Sequence, residues 1–107
     1  MTVRAVNKLV RDNIPSIIIE KGGVPDFRIL SDGEFLDALN DKLLEEVAEY
    51  MESKNLDELA DILQVICTIS EVIGGGKREL EYLMDEKAAE RGAFGNRLFL
   101  ESVDERS

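Results

Sequence analysis

The sequence predicts an all-α protein, a four- to five-helix bundle built around an antiparallel helical hairpin. Three observations favour this fold class. Capping residues precede long segments, beginning with Ser31 and its partner Glu34. Apolar side chains recur at helical spacing within two of those segments. Glycines interrupt the chain where segments end, as at residues 74–76.

The first element is predicted to be a short helix near the beginning of the chain. Asp12 or Asn13 can cap it, and Pro15 is tolerated in its first turn. The glycines at 22–23 end it, because glycine does not continue a helix cheaply. Residues 24–30 are then predicted to be a short extended connector.

The second and third helices are predicted to form the hairpin at the heart of the fold. The capping box at 31–34 opens a helix that runs to about Ser53. Asn55, with Glu58 three residues later, is a second capping pattern, and it opens a helix that runs to about Ile73. Because only two or three residues separate these helices, we expect them to be antiparallel neighbours.

A fourth helix is predicted beyond the three glycines, from about Lys77 to Arg91, with Gly92 following its last turn. The tail after it is short and partly apolar. The chain has 107 residues, so residues 1–107 are predicted to form a single domain.

Composition restricts the classes of function. The 23 acidic against 13 basic residues give a net charge of −10, which argues against a nucleic-acid surface or an anionic membrane surface. The absence of histidine excludes histidine-based catalysis and histidine-rich zinc sites. One cysteine, Cys67, no signal peptide and no apolar stretch of about 20 residues predict a cytoplasmic protein without membrane spans.

Four carboxylates interrupt the apolar faces of the predicted hairpin. Glu46 falls inside the apolar stripe of the second helix, with Glu49 at its edge; Glu58 lies near the centre of the stripe on the third helix, with Asp61 at its edge. At about 1.5 Å of rise per residue, the two pairs face one another at similar depth below the turn. Such pairs are usually solvated, but two matched inward pairs favour a Mg²⁺ site.

These residues carry a resemblance to a known family. The pattern Glu45-Glu46-x-x-Glu49 followed by Glu58-x-x-Asp61 resembles the EExxE…ExxD signature of the all-α NTP pyrophosphatase superfamily, which includes MazG-type enzymes. Residues 7–15, NKLVRDNIP, and residues 86–94, EKAAERGAF, are similar to segments of its small stand-alone members, classed as phosphoribosyl-ATP-pyrophosphohydrolase-like. Ala93 stands where that pattern has a second glycine.

The resemblance implies a homodimer or homotetramer that uses Mg²⁺, with Mn²⁺ as the alternative ion. It implies that Glu46, Glu49, Glu58 and Asp61 bind the metal. The implied reaction is cleavage of the α–β phosphoanhydride of a nucleoside triphosphate or related nucleotide, giving the monophosphate and pyrophosphate, and the role would be house-cleaning. Two alternatives stay open: phosphoribosyl-ATP hydrolysis in histidine biosynthesis, and a non-catalytic nucleotide-binding or regulatory dimer module.

Further roles are predicted for residues around the carboxylates. Without histidine, an acid must orient the attacking water, and Glu45 or Glu49 is the candidate. The triphosphate also needs cations. The predicted phosphate-binding residues are Lys8, Arg11, Lys87, Arg91 and Arg97. The alternative is that such cations are surface partners of the many acids, as in a plain acidic helical adaptor.

Overall fold

A computed structural model describes residues 2–106. The described part of the chain contains four α-helices and no strand, so the predicted all-α class is confirmed. The helices are α1 (Ile14–Glu20), α2 (Asp32–Ser53), α3 (Leu56–Ile73) and α4 (Gly76–Arg91). Their order and bounds agree with the caps and glycines from which the sequence predicts them.

The start of α2 is fixed by the predicted capping box. The Glu34 amide donates to the Ser31 hydroxyl at 3.4 Å, and the Ser31 amide donates to the Glu34 carboxylate at 3.1 Å. Arg28 donates to the same carboxylate at 2.9 Å. The bond from Arg28, followed by the bonds from Ser31, lowers the pKa of Glu34 to about 2. A charged acid is thus held at the positive end of the helix dipole.

Only Lys54 and Asn55 connect α2 to α3. Lys54 adopts a left-handed conformation, with φ of 52°, and its ammonium group donates to the carbonyl of Met51 at 2.7 Å. The Asn55 side chain then caps α3 by accepting from the Glu58 amide at 3.0 Å. A connection this short keeps the two helices in contact, and α2 packs directly against α3.

Three consecutive glycines lie where α3 ends and α4 begins, and the chain bends there. Gly74, Gly75 and Gly76 have φ values of 114°, 97° and 71°, a region that side-chain-bearing residues rarely adopt. The axes of α3 and α4 differ by 106° across this break. No single helix within residues 2–106 is long and apolar enough to cross a membrane, although α3 and α4 taken together pass that test on length and composition.

The buried core of one chain is small. Within the described residues, only Leu39 on α2 and Val65 on α3 are buried apolar side chains. The radius of gyration is 19.2 Å, whereas a compact chain of this length would have about 13 Å. α3 packs against α2 and α4, but α1 packs against none of the other described helices. The helices therefore do not close into a compact bundle within a single chain.

Candidate metal centre

Three of the predicted carboxylates meet where α2 and α3 pack together. One oxygen each from Glu46, Glu58 and Asp61 lies within 4.8 Å of the others. Glu46 comes from α2, while Glu58 and Asp61 come from the first two turns of α3, where their spacing of three residues places them on one face. We call these three residues the acid cluster.

The acid cluster contains polar atoms that the protein itself does not satisfy. Glu46 is 7% exposed, and its Oε2 atom is buried without a hydrogen-bond partner. The Oε2 atom of Glu58 is buried in the same way. A buried acceptor without a donor costs about 1–3 kcal/mol, and more when it is charged. Two such oxygens on residues of one cluster fit the ligand set of a hard divalent cation.

The surroundings of Glu46 disfavour its charged form. Burial raises the pKa of Glu46, and repulsion from the nearby Glu49 carboxylate acts in the same direction. The charge of Asp61 adds to this shift, and only Lys42 opposes it. For Glu46 to stay ionised in this environment, it needs additional positive charge nearby.

Lys42 supplies part of that positive charge from the preceding turn of α2. Its ammonium nitrogen lies 3.5 Å from Glu46 Oε1 and 3.6 Å from Glu45 Oε2. Four residues separate Lys42 from Glu46 and three separate it from Glu45, so all three share one helix face. The contact occupies one oxygen of Glu46 and leaves Oε2 without a partner.

Two further cations reach the site from the chain before α1. Lys8 donates to Glu45 Oε1 at 3.0 Å, and Arg11 donates to Asp61 Oδ1 at 2.6 Å. The hydrogen bond and charge of Glu45 raise the pKa of Lys8. In return, the bond from Lys8, with the charges of Lys42 and Lys8, lowers the pKa of Glu45 against the opposing effect of partial burial.

Charged residues of both signs surround the acid cluster. The acids are Glu45, Glu46, Glu49, Glu58 and Asp61, and the cations that pair with them are Lys8, Arg11 and Lys42. These acids outnumber the cations that pair with them. Oxygen donors alone suit Mg²⁺, Mn²⁺ or Ca²⁺ rather than a soft metal.

Several predicted site residues lie apart from the acid cluster. Glu49 is exposed; it approaches Glu46 but is not one of the three converging residues. Lys87 and Arg91 lie on α4, about 20 Å from the cluster by helix rise and the bend at the glycines. Arg97 and Arg91 border an open depression formed by residues 91–98. The phosphate-binding roles of these three cations stay predictions.

Lys42 contacts this site, but it belongs to none of the sequence motifs described above. Its spacing to Glu45 and Glu46 is the signal that identifies it, since positions three and four apart adjoin on a helix.

Comparison with known proteins gives little further assignment. No protein-family model matches the chain, and no solved structure matches it. An uncharacterized protein of Mycolicibacterium smegmatis (strain ATCC 700084 / mc(2)155) is 55% identical over 42 residues. The match covers 39% of this chain and 43% of that protein, so it assigns no family or activity.

Proposed function

We propose that this chain is a Mg²⁺-dependent nucleotide pyrophosphohydrolase, active as an oligomer, in which α2 and α3 form an antiparallel hairpin of MazG-like type. The proposed reaction cleaves the α–β phosphoanhydride of a nucleoside triphosphate or related nucleotide and yields the monophosphate and pyrophosphate. The supporting observation is the acid cluster with its two buried, unpartnered oxygens. The resemblance of three sequence segments to that superfamily supports the choice of reaction.

The proposed roles fall to two groups of residues, those that would hold the metal and one that would position nearby cations. Glu46, Glu58 and Asp61 would hold the metal, and Glu49 would complete the ligand set or orient a water molecule. When bound, Mg²⁺ polarises phosphate oxygens and lowers the pKa of a water molecule. Glu45 already accepts from Lys8 and contacts Lys42, so it would position these two cations.

Product identity tests the proposal directly. Pure protein incubated with a panel of nucleoside triphosphates and Mg²⁺ is expected to release pyrophosphate and monophosphate in equal amounts for at least one nucleotide. The check is a coupled pyrophosphate assay run with and without added inorganic pyrophosphatase, with EDTA as the metal-free control. Orthophosphate released stepwise in the absence of pyrophosphatase would contradict the proposed bond cleavage.

A second candidate function is a nucleotide-binding or regulatory module without turnover. The pairing of Lys42 with Glu45 and Glu46 favours it, because an internal cation already offsets part of the acid charge. In the same panel this candidate gives nucleotide binding by calorimetry with no pyrophosphate. A plain acidic helical adaptor gives neither nucleotide binding nor pyrophosphate release.

We also expect the chain to associate with copies of itself around a two-fold axis. Large apolar side chains stay exposed along the helices and the tail, including Leu44, Leu63, Phe94 and Phe99. The two buried apolar residues found within residues 2–106 are a small core for a chain of this length. Light scattering at micromolar concentration should give at least twice the chain mass of 12.0 kDa. A monomeric mass would contradict this expectation.

A further inference from the structure

The chain before α1 contacts both α2 and α3 beside the acid cluster. We call residues 2–13 the N-terminal strap; they form no helix or strand. Within it, Lys8 reaches α2 through Glu45 at 3.0 Å, and Arg11 reaches α3 through Asp61 at 2.6 Å. Two cations three residues apart thus fasten one segment to both helices.

The two attachments differ in what they occupy. Asp61 belongs to the acid cluster, so the Arg11 guanidinium sits on a carboxylate that a cation would need. Glu45 lies outside the cluster, so Lys8 blocks none of the three converging oxygens. A metal ion and a guanidinium close to one carboxylate repel each other. Side-chain exposures of 57% for Arg11 and 39% for Asp61 show that their ion pair is a solvated and weak one.

We infer that a divalent cation and Arg11 compete for Asp61, so that metal binding releases the Arg11 end of the strap while Lys8 keeps it tethered to Glu45. The inference rests on the proposed function in taking the acid cluster as a cation site. The released Arg11 guanidinium would stay near the metal, because Lys8 remains bound to Glu45. Its planar arrangement of donors suits phosphate oxygens. The strap therefore makes this phosphate-binding group more available when the metal is present.

Metal affinity provides the first test. Mn²⁺ binding is measured by electron paramagnetic resonance for the wild type, Arg11→Gln, Arg11→Lys and Arg28→Gln. Removing the competitor should tighten Mn²⁺ binding by roughly two- to fivefold in Arg11→Gln, the range expected for one exposed ion pair. Arg11→Lys should stay near the wild type. Arg28→Gln is the matched control, because it breaks an exposed Arg–Glu pair at the far end of α2.

Proteolysis provides a second test that needs no enzyme activity. Trypsin requires a free basic side chain, so saturating Mg²⁺ should accelerate cleavage after Arg11 in the wild-type protein. Cleavage after the exposed Arg4, in the same digest, is the internal standard. The rate ratio is read by mass spectrometry.

The outcomes separate this inference from the proposed function. Mn²⁺ binding that is equal in the wild type and Arg11→Gln, or slower cleavage after Arg11 with Mg²⁺, overturns the competition but leaves the metal site standing. Absence of Mn²⁺ binding in the wild type overturns both. Tighter binding in Arg11→Gln together with faster cleavage after Arg11 supports the strap as described.

Discussion

Glu58→Gln should reduce pyrophosphohydrolase activity by roughly 100-fold or more while leaving the protein folded. The change keeps the shape of the side chain but removes the charge of a proposed metal ligand, whose Oε2 atom is buried without a partner. A catalytic metal stabilises the transition state by several kcal/mol, and each 1.4 kcal/mol changes the rate about tenfold. Mn²⁺ or Mg²⁺ affinity should fall with the activity, as measured by calorimetry on the same samples.

Thermal melts with and without Mg²⁺ complete this experiment. Without metal, Glu58→Gln should melt at or above the wild-type temperature, because repulsion among the crowded carboxylates decreases. With metal, the wild type should gain stability that the variant lacks. Glu71→Gln is the matched control, since Glu71 is an exposed acid at the other end of α3. A Glu58→Gln protein that is inactive because it has unfolded would refute the metal-ligand role.

Leu39→Ala should destabilise the chain by about 2–5 kcal/mol, the usual loss for a buried leucine. Leu39 is 2% exposed and is one of only two buried apolar residues within residues 2–106. Small domains are stable by about 5–15 kcal/mol in total, so this single change should remove a large fraction of the free energy of unfolding. Urea unfolding followed by circular dichroism measures the loss.

Leu44→Ala is the control on the same helix, since Leu44 is 70% exposed in the single chain. At equal, low protein concentration it should change the free energy of unfolding by less than about 1 kcal/mol. Equal losses for both variants would mean that the buried contact around Leu39 is not the main source of stability in the α2–α3 pair.

The helices were predictable because their signals are local. The capping box at Ser31, the cap at Asn55 and the glycines at 74–76 each act on neighbouring residues, and all lie where the sequence places them. The convergence of Glu46 with Glu58 followed from the same local information, because two residues connect their helices and helix geometry fixes the rest.

Contacts between distant parts of the chain were not predictable in this way. The docking of Arg11 on Asp61 spans 50 residues and depends on the path of an irregular segment, for which no periodicity exists. The packing angle of α4 depends on three glycines whose φ values the sequence permits but does not select. Lys87 and Arg91 are predicted to bind phosphate from their charge, and the bend places them apart from the acid cluster within one chain.

The two-residue connection between α2 and α3 has a consequence for how this protein can change. Because only Lys54 and Asn55 connect the two helices, the number of residues from Glu46 to Glu58 determines how these two acids are placed relative to each other. One residue inserted between either acid and the turn would rotate that acid by about 100° and shift it by about 1.5 Å, which is enough to separate the three carboxylates. We therefore expect substitutions between Glu46 and Glu58 that keep the acids to disturb the cluster less than changes in the length of this stretch, so engineered variants should keep the number of residues between these two acids.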